Sequence, residues 1–149
     1  MWFMEVMPKM LADLKKDLRG CPSQFTIGGD GKEYQSVDEG VRDWENILDR
    51  MIFCFQEMNE DTCSMKNEYE EEYHRQRFES RGGKSILDCF TSEEINEHGE
   101  KRYRLITGEA EPELEEKYRR RMREIEDYRE NMKNEGFELF RKYFWNLWS

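Results

Sequence analysis

Carboxylates and histidines stand in this chain at a spacing that could hold a metal ion. Glu71 and His74 are three residues apart, as are the carboxylate and imidazole ligands on one helix of a di-iron bundle. That chemistry needs a second such pair, and the other histidine, His98, has only Glu94 and Glu97 beside it in the sequence. With 34 acidic residues among 149, chance explains the spacing, and we expect no metal site.

The sequence also indicates neither a phosphate-binding loop nor a catalytic nucleophile. Gly28 to Lys32 reads GGDGK, which lacks the glycine spacing of the phosphate loop and does not lead from a buried strand into a helix, so a turn is expected. Cys54 lies between Phe53 and Phe55, where a packed thiol is the ordinary structure, and neither histidine has an apolar context suited to a general base. We therefore expect no enzyme activity and no cofactor.

The chain is strongly acidic, which restricts its partners. Its 34 acidic and 24 basic residues leave a formal net charge of −10, which repels nucleic acid and anionic membranes. The same charge attracts a protein with a basic surface, such as the groove of a nucleic-acid-binding protein, although it also promotes solubility. Residues 57 to 72 contain one lysine and seven acids, and these acids form the predicted partner-binding site: Glu57, Glu60, Asp61, Glu68, Glu70, Glu71 and Glu72.

A basic cluster near the start of the C-terminal segment is the candidate nucleic-acid patch. Its members are Lys117, Arg119, Arg120, Arg121 and Arg123. Between residues 112 and 135, however, seven basic residues face eight acidic ones, which is typical of a helix surface covered by ion pairs. We expect no direct nucleic-acid binding, while a small ligand or nucleotide held by arginine and aromatic side chains stays open.

Cysteine usage and the absence of a targeting signal indicate a reducing compartment. Cys21, Cys54, Cys63 and Cys89 form no CxxC pair and have no zinc-type histidine spacing, so reduced, buried thiols are expected. The opening MWFMEVMPKM lacks the basic start and cleavage site of a secretory signal. No apolar run approaches the roughly 20 residues that span a membrane. These features predict a cytoplasmic protein without membrane contact.

Helical spacing dominates the segments that must position these residues. Apolar residues recur every three or four positions from Met4 to Leu18 and from Val37 to Met58, which predicts two amphipathic helices. Ser36 and Glu39 form a capping box in front of the second helix. Between the helices, Cys21 to Gln35 contains a proline and several glycines, which predicts a loop or a short β-hairpin.

The middle of the chain has weaker patterns. The acidic stretch after Asn59 predicts a solvated helix, which the glycines within Arg81 to Lys84 should end. Thr91 and Glu94 form a second capping box, which predicts a short helix ending near Gly99.

An alternation that is typical of a strand follows, at Tyr103, Leu105 and Thr107. A lone strand needs a partner, and we expect any partner to come from the region of Phe25 to Tyr34.

A long helix is predicted from Pro112 to the C-terminus. Proline suits a first helical turn, and Glu113 and Glu115 stand where the positive helix end favours acids. Its aromatic end must dock into the core or a partner, and the amphipathic face also permits a homodimer. The sequence thus predicts a mainly α fold: a helical bundle with a small β-hairpin as an option. We expect a single domain over residues 1–149, with a polar acidic insertion of uncertain order at residues 59–110.

Two segments carry a resemblance to a known group of proteins. Trp44 to Phe55 reads W-x-x-I-L-D-x-M-I-x-x-F, and Gly136 to Trp148 reads G-x-x-L-F-x-K-Y-F-x-x-L-W. In these motifs the chain resembles a group of small uncharacterised proteins of tailed bacteriophages and gut metagenomes. The resemblance implies a phage origin and action inside a bacterial host cell, and it implies no activity.

Both motifs also have a structural explanation. The large residues of the first motif can interdigitate with those of the second: Trp44, Leu48, Met51 and Phe55 with Leu139, Tyr143 and Leu147. Asp49 and Lys142 then predict a salt bridge between the two helices.

Two functions remain open at this point. In the first, the protein is a non-enzymatic phage accessory factor that binds and inhibits a host protein through its acidic surface. A nucleic-acid-binding defence complex such as CRISPR-Cas is the expected kind of target. In the second, the protein is a sponge that binds a small ligand or nucleotide and so acts on a host signalling molecule.

Overall fold

Four α-helices hold most of the chain. The computed structural model describes residues 2–17, 20–27, 34–85, 90–95, 99, 101–105 and 107–147. The helices are α1 (Trp2–Lys16), α2 (Val37–Glu57), α3 (Glu70–Ser80) and α4 (Pro112–Tyr143). Two strands, β1 (Phe90–Ile95) and β2 (Lys101–Leu105), and two 3₁₀ segments, Ser23–Phe25 and Phe144–Leu147, complete the described structure. The predicted mainly α fold with a long C-terminal helix is confirmed. Within the described ranges, no helix has the length and apolar character needed to cross a membrane.

The chain forms two compact units. Unit 1 contains Met1–Met65 and Glu126–Ser149, and unit 2 contains Lys66–Ile125. Helices α1 and α2 therefore belong to unit 1, and α3 and the two strands belong to unit 2. Helix α4 contributes residues to both units. The single-domain organisation stays a prediction.

Helix α2 begins at the predicted capping box. The Ser36 hydroxyl oxygen accepts a hydrogen bond from the Glu39 backbone N–H at 3.2 Å. A Glu39 carboxylate oxygen accepts one from the Gln35 backbone N–H at 3.0 Å. These bonds satisfy amides that have no partner inside a helix, so the sequence located this start correctly.

The core of unit 1 joins α2 to the end of the chain. Its largest fully buried side chains all lie on α2: Trp44, Leu48, Met51, Cys54 and Phe55. Tyr143 and Leu147 belong to the same buried cluster, and Leu139 packs against it. The ring centroids of Trp44 and Tyr143 lie 5.7 Å apart. Burying each such side chain stabilises the fold by about 1.5–3 kcal/mol. The predicted packing of the two motifs is confirmed.

Gly136 allows α4 to approach α2 closely. A Cβ atom at this position would lie 3.0 Å from the Cys54 Cβ and 3.4 Å from the Phe55 ring. A larger residue would therefore push the two helices apart. The glycine in the second motif thus has a packing role.

The predicted salt bridge between Asp49 and Lys142 is wrong. The Asp49 carboxylate accepts hydrogen bonds from Lys15 Nζ of α1 at 2.6 and 2.7 Å. Lys142 Nζ instead lies 5.1 Å from the ring centroid of Tyr143. Helix α1 runs beside α2, so a cation of α1 meets Asp49. The spacing within a single helix could not show which neighbour stands on that side.

The solvated helix predicted over the whole acidic stretch is also wrong. Helix α3 begins only at Glu70, and residues 58–69 form turns. Two buried asparagines hold these turns: Asn59 Oδ1 accepts the Asp61 N–H at 3.3 Å, and Asn67 Oδ1 accepts the Tyr69 N–H at 3.0 Å. Such local bonds compete with the helix ladder. As predicted, α3 ends before two glycines, Gly82 and Gly83, which have φ of 68° and 71°.

The helix predicted after Thr91 is wrong as well, because β1 and β2 pair there as an antiparallel hairpin. Phe90 lies opposite Leu105, and Ile95 lies opposite Lys101. Gly99, between the strands, has φ of 78°, a left-handed conformation that glycine adopts without strain. Pairing with a second strand outweighed the local capping signal.

The predicted strand region is thus correct, but its expected partner is not. Strand β2 pairs with β1, and not with the region of Phe25 to Tyr34. The described start of that region holds a 3₁₀ segment, Ser23–Phe25. Residues 28–33, including the predicted GGDGK turn, lie outside the described residues.

Candidate functional site

The first acid of the predicted partner-binding site, Glu57, is a buried structural residue. Only 5% of its surface is exposed. Its carboxylate accepts hydrogen bonds from the Ser64 backbone N–H at 3.1 Å, the Ser64 hydroxyl at 2.6 Å and the Tyr128 hydroxyl at 3.0 Å. Burial and the bond to Glu57 raise the pKa of Tyr128. Glu57 therefore anchors a turn to α4 and is not accessible to a partner.

The next two acids, Glu60 and Asp61, are exposed on that turn. Several bonds hold the turn in place: the Cys63 N–H donates to the Asn59 carbonyl at 2.8 Å, and the Thr62 hydroxyl donates to the Gln56 carbonyl at 2.6 Å. Among the described residues, the Asp61 carboxylate has no basic partner. The turn thus presents two carboxylates on a backbone that is already ordered.

A third acid joins these two from α4. Arg129 donates to the Met58 carbonyl at 3.2 Å, and its guanidinium lies 3.9 Å from the Glu60 carboxylate. Glu126 is exposed and stands three residues before Arg129, which places it on the same helix face. We call Glu60, Asp61 and Glu126 the turn patch. Of these three carboxylates only that of Glu60 lies within 4 Å of the Arg129 guanidinium, so the patch keeps a net negative charge.

The remaining acids of the predicted site lie in unit 2, where most of them have structural partners. Glu68 pairs with Arg121 at 3.0 Å. Three acids, Glu70, Glu71 and Glu72, occupy the first turn of α3, where the positive end of the helix stabilises them. Hydrogen bonds from Arg75 and Gln76 lower the pKa of Glu72. The structure therefore divides the acidic stretch between two units.

The basic cluster on α4 is largely neutralised, as the charge pattern predicted. Lys117 pairs with Glu113 at 2.6 Å, and this bond lowers the pKa of Glu113. Arg119 pairs with Glu115, one turn earlier on the same helix. Arg121 also pairs with Glu124 at 3.0 Å. Arg120 and Arg123 are exposed. Most of the cluster thus forms ion pairs along the helix surface and not an open cationic patch.

The candidate chemical groups of the sequence do not assemble into a reactive centre in the described part of the chain. No group of three or more His, Cys, Asp or Glu residues there could hold a metal ion. His74 lies 3.9 Å from Glu70, one helical turn away. Burial raises the pKa of the Cys54 thiol to about 11, so it stays protonated near neutral pH. Cys21, Cys54 and Cys63 are unpaired thiols, of which Cys21 is only half-buried.

Sequence reasoning missed Tyr128 as a neighbour of the acidic stretch. Tyr128 stands 71 residues from Glu57 along the chain, so no local pattern joins the two. One signal was present: Glu57 follows Cys54 by three residues, which places it on the predicted apolar stripe of α2.

Comparisons of the chain with protein-family models, with curated proteins and with solved structures find no match.

Proposed function

We propose that this protein is a non-enzymatic binding protein that docks on a basic surface of another protein through the turn patch. The observation that carries the proposal is the ordered turn itself. Bonds from its own backbone and from Arg129 hold Glu60 and Asp61 in position before any partner arrives. An ordered recognition surface loses less conformational entropy on binding, so more of the interaction energy appears as affinity.

The distribution of charge supports unit 1 as the docking unit. Counted along the sequence, unit 1 has 18 acidic and 11 basic residues, whereas unit 2 has 16 acidic and 13 basic residues. Most of the net charge of −10 therefore belongs to unit 1. Such a field speeds the approach of a basic partner and opposes acidic ones.

The proposed partner is a bacterial host protein whose basic surface normally holds nucleic acid, such as a CRISPR-Cas or other defence complex. A rigid set of carboxylates can occupy cationic side chains that would otherwise contact phosphates. The two sequence motifs that resemble phage proteins support a role as an inhibitor inside the host cell. In this role the protein needs no catalytic group of its own.

The first test is capture of host proteins by the tagged protein at about 0.15 M and 1 M salt. The Debye length falls from about 8 Å to 3 Å between these conditions. Captured proteins are identified by mass spectrometry, purified and titrated directly. We expect a nucleic-acid-binding protein whose affinity falls steeply with salt, and whose nucleic acid competes with this chain. A partner that is retained fully at 1 M salt would contradict docking by charge.

Matched charge variants then locate the surface. One variant carries Glu60→Gln and Asp61→Asn, and the other carries Glu70→Gln and Glu71→Gln, so that each removes two negative charges. Each variant is first checked for native helicity by circular dichroism. We expect the first pair to weaken binding by tenfold or more and the second pair to change it little. Equal losses would show an effect of net charge, and a loss only in the second pair would move the site to α3.

A further inference from the structure

Unit 2 contains a concave surface with an excess of positive charge. Four residues from the last turns of α3 and its end line a cleft of about 290 Å³: His74, Arg77, Phe78 and Arg81. Two of them are arginines, one is a histidine, and the fourth, Phe78, is 46% exposed. The sequence did not indicate this cleft, because the only cluster of basic residues that stands out along the chain lies on α4.

The two arginines are held by uncharged groups. Arg77 donates to the Thr107 carbonyl at 2.9 and 3.1 Å and to the Tyr73 hydroxyl at 2.9 Å. Arg81 donates to the same Thr107 carbonyl at 3.1 Å and to the Lys84 carbonyl at 3.3 Å. Among the described residues, neither guanidinium has a carboxylate partner. Within that part of the chain, no carboxylate offsets either positive charge.

This arrangement is unusual on α3, where Arg75 shows the alternative. Arg75 forms ion pairs with Glu72 at 2.7 Å and with Glu79 at 3.0 Å, so its charge is neutralised. Arg77 and Arg81, in contrast, share one carbonyl oxygen, so two like charges stand side by side. Water or a bound anion would lessen the repulsion between them.

Donors remain for such an anion. A guanidinium has five N–H donors in a planar fork that matches phosphate oxygens. The bonds above use two of those of Arg81 and leave three. The Arg81 guanidinium also lies 6.0 Å from the ring centroid of Phe78, so a phosphate there would have an aromatic face beside it.

We propose that this cleft binds a small phosphorylated molecule that carries a heterocyclic ring, such as a nucleoside monophosphate. Arg81 and Arg77 hold the phosphate, His74 adds a donor, and the ring stacks on Phe78. At about 290 Å³ the cleft is at the lower end of the size range of small-molecule pockets, so a mononucleotide is about the largest ligand that it can hold. The inference is independent of the turn patch, which belongs to unit 1.

The test is calorimetric titration of the full chain with adenosine monophosphate, inorganic phosphate and adenosine. We expect adenosine monophosphate to bind more tightly than either of the other two probes. Arg81→Gln should weaken its binding by about tenfold or more, the usual effect of losing charge-assisted hydrogen bonds. Phe78→Ala should weaken the binding of adenosine monophosphate but leave the affinity for inorganic phosphate unchanged.

Arg75→Gln is the matched control, because it removes the same charge from the same helix outside the cleft. It should leave the affinity unchanged. Equal losses in Arg75→Gln and Arg81→Gln would overturn the proposal, as would the absence of saturable binding of adenosine monophosphate at millimolar concentration. Binding of a short RNA without binding of the mononucleotide would also overturn it. Arg77→Lys, which keeps the charge, provides a second variant if Arg81→Gln disturbs the end of α3.

Discussion

Replacing Glu57 tests whether its buried carboxylate stabilises the fold. Its carboxylate accepts hydrogen bonds from the Ser64 backbone N–H, the Ser64 hydroxyl and the Tyr128 hydroxyl, and the Cys63 thiol lies 4.0 Å from it. The net contribution of a hydrogen bond to a charged group to the free energy of unfolding is about 1.5–3 kcal/mol. Ser64 is exposed, so water can replace part of its contribution. We therefore expect Glu57→Ala to lower the free energy of unfolding by about 3 kcal/mol.

The assay is urea unfolding followed by circular dichroism and by the fluorescence of tryptophan, including Trp44 in the core of unit 1. For a chain of this length, about 3 kcal/mol corresponds to a fall in Tm of roughly 6–12 °C. Glu60→Ala is the control, since the side chain is 75% exposed and its distance to Arg129 is 3.9 Å. It should change the free energy of unfolding by less than about 0.5 kcal/mol.

Two comparisons make this prediction refutable. If Glu57→Ala and Glu60→Ala differ by less than about 0.5 kcal/mol, the buried hydrogen-bond network does not stabilise the protein as argued. A double-mutant cycle with Tyr128→Phe supplies the second comparison. Residues that share a hydrogen bond should show a coupling energy of about 0.5–3 kcal/mol, and strict additivity would refute the bond between Glu57 and Tyr128.

Three further predictions follow from other parts of unit 1. Gly40→Ala should lower the free energy of unfolding by about 1–3 kcal/mol or more, measured in urea, although alanine favours helices. The reason is that the added Cβ would lie only 1.8 Å from the Phe25 carbonyl oxygen. An unchanged urea midpoint would contradict this close approach. A hydrogen bond from Arg50 holds the pKa of Glu135 below its usual range, so the pair stabilises the fold above about pH 4.3 and this contribution is lost as the pH falls through the lower folded value. Arg50→Gln should therefore cost up to about 1 kcal/mol at pH 7 and progressively less as the pH falls below about 4.3, and a cost that does not change with pH would disprove the linkage. Cys54, with its pKa raised to about 11 by burial, should react with a disulfide reagent only after unfolding when the other cysteines are replaced by serine; rapid native labelling would show that it is accessible.

Local patterns determined much of the fold. The start of α2 followed from Ser36 and Glu39, because a capping box satisfies amides within one turn of itself. The pairing of the two motifs followed from apolar spacing alone, and the buried contact of Trp44 with Tyr143 confirms it. The ion-paired surface of α4 followed from the balance of charges four residues apart. The capping box and the ion pairs join residues close in sequence, whereas the two motifs could be matched because each carries its large apolar residues at helical spacing.

Only the tertiary structure decided which polar residues are buried and which cations remain unpaired. Glu57 appeared in the sequence as one acid of a solvated stretch, yet it meets Tyr128 from a segment 71 residues away. The cleft beside Arg77 likewise depends on the carbonyl of Thr107, 30 residues later. A hydrogen-bond partner is chosen by three-dimensional packing, and neither helical period nor composition carries that information. The sequence by itself therefore determined a mainly α, acidic chain with a predictable core, and packing decided which of its charged residues are buried and which are exposed.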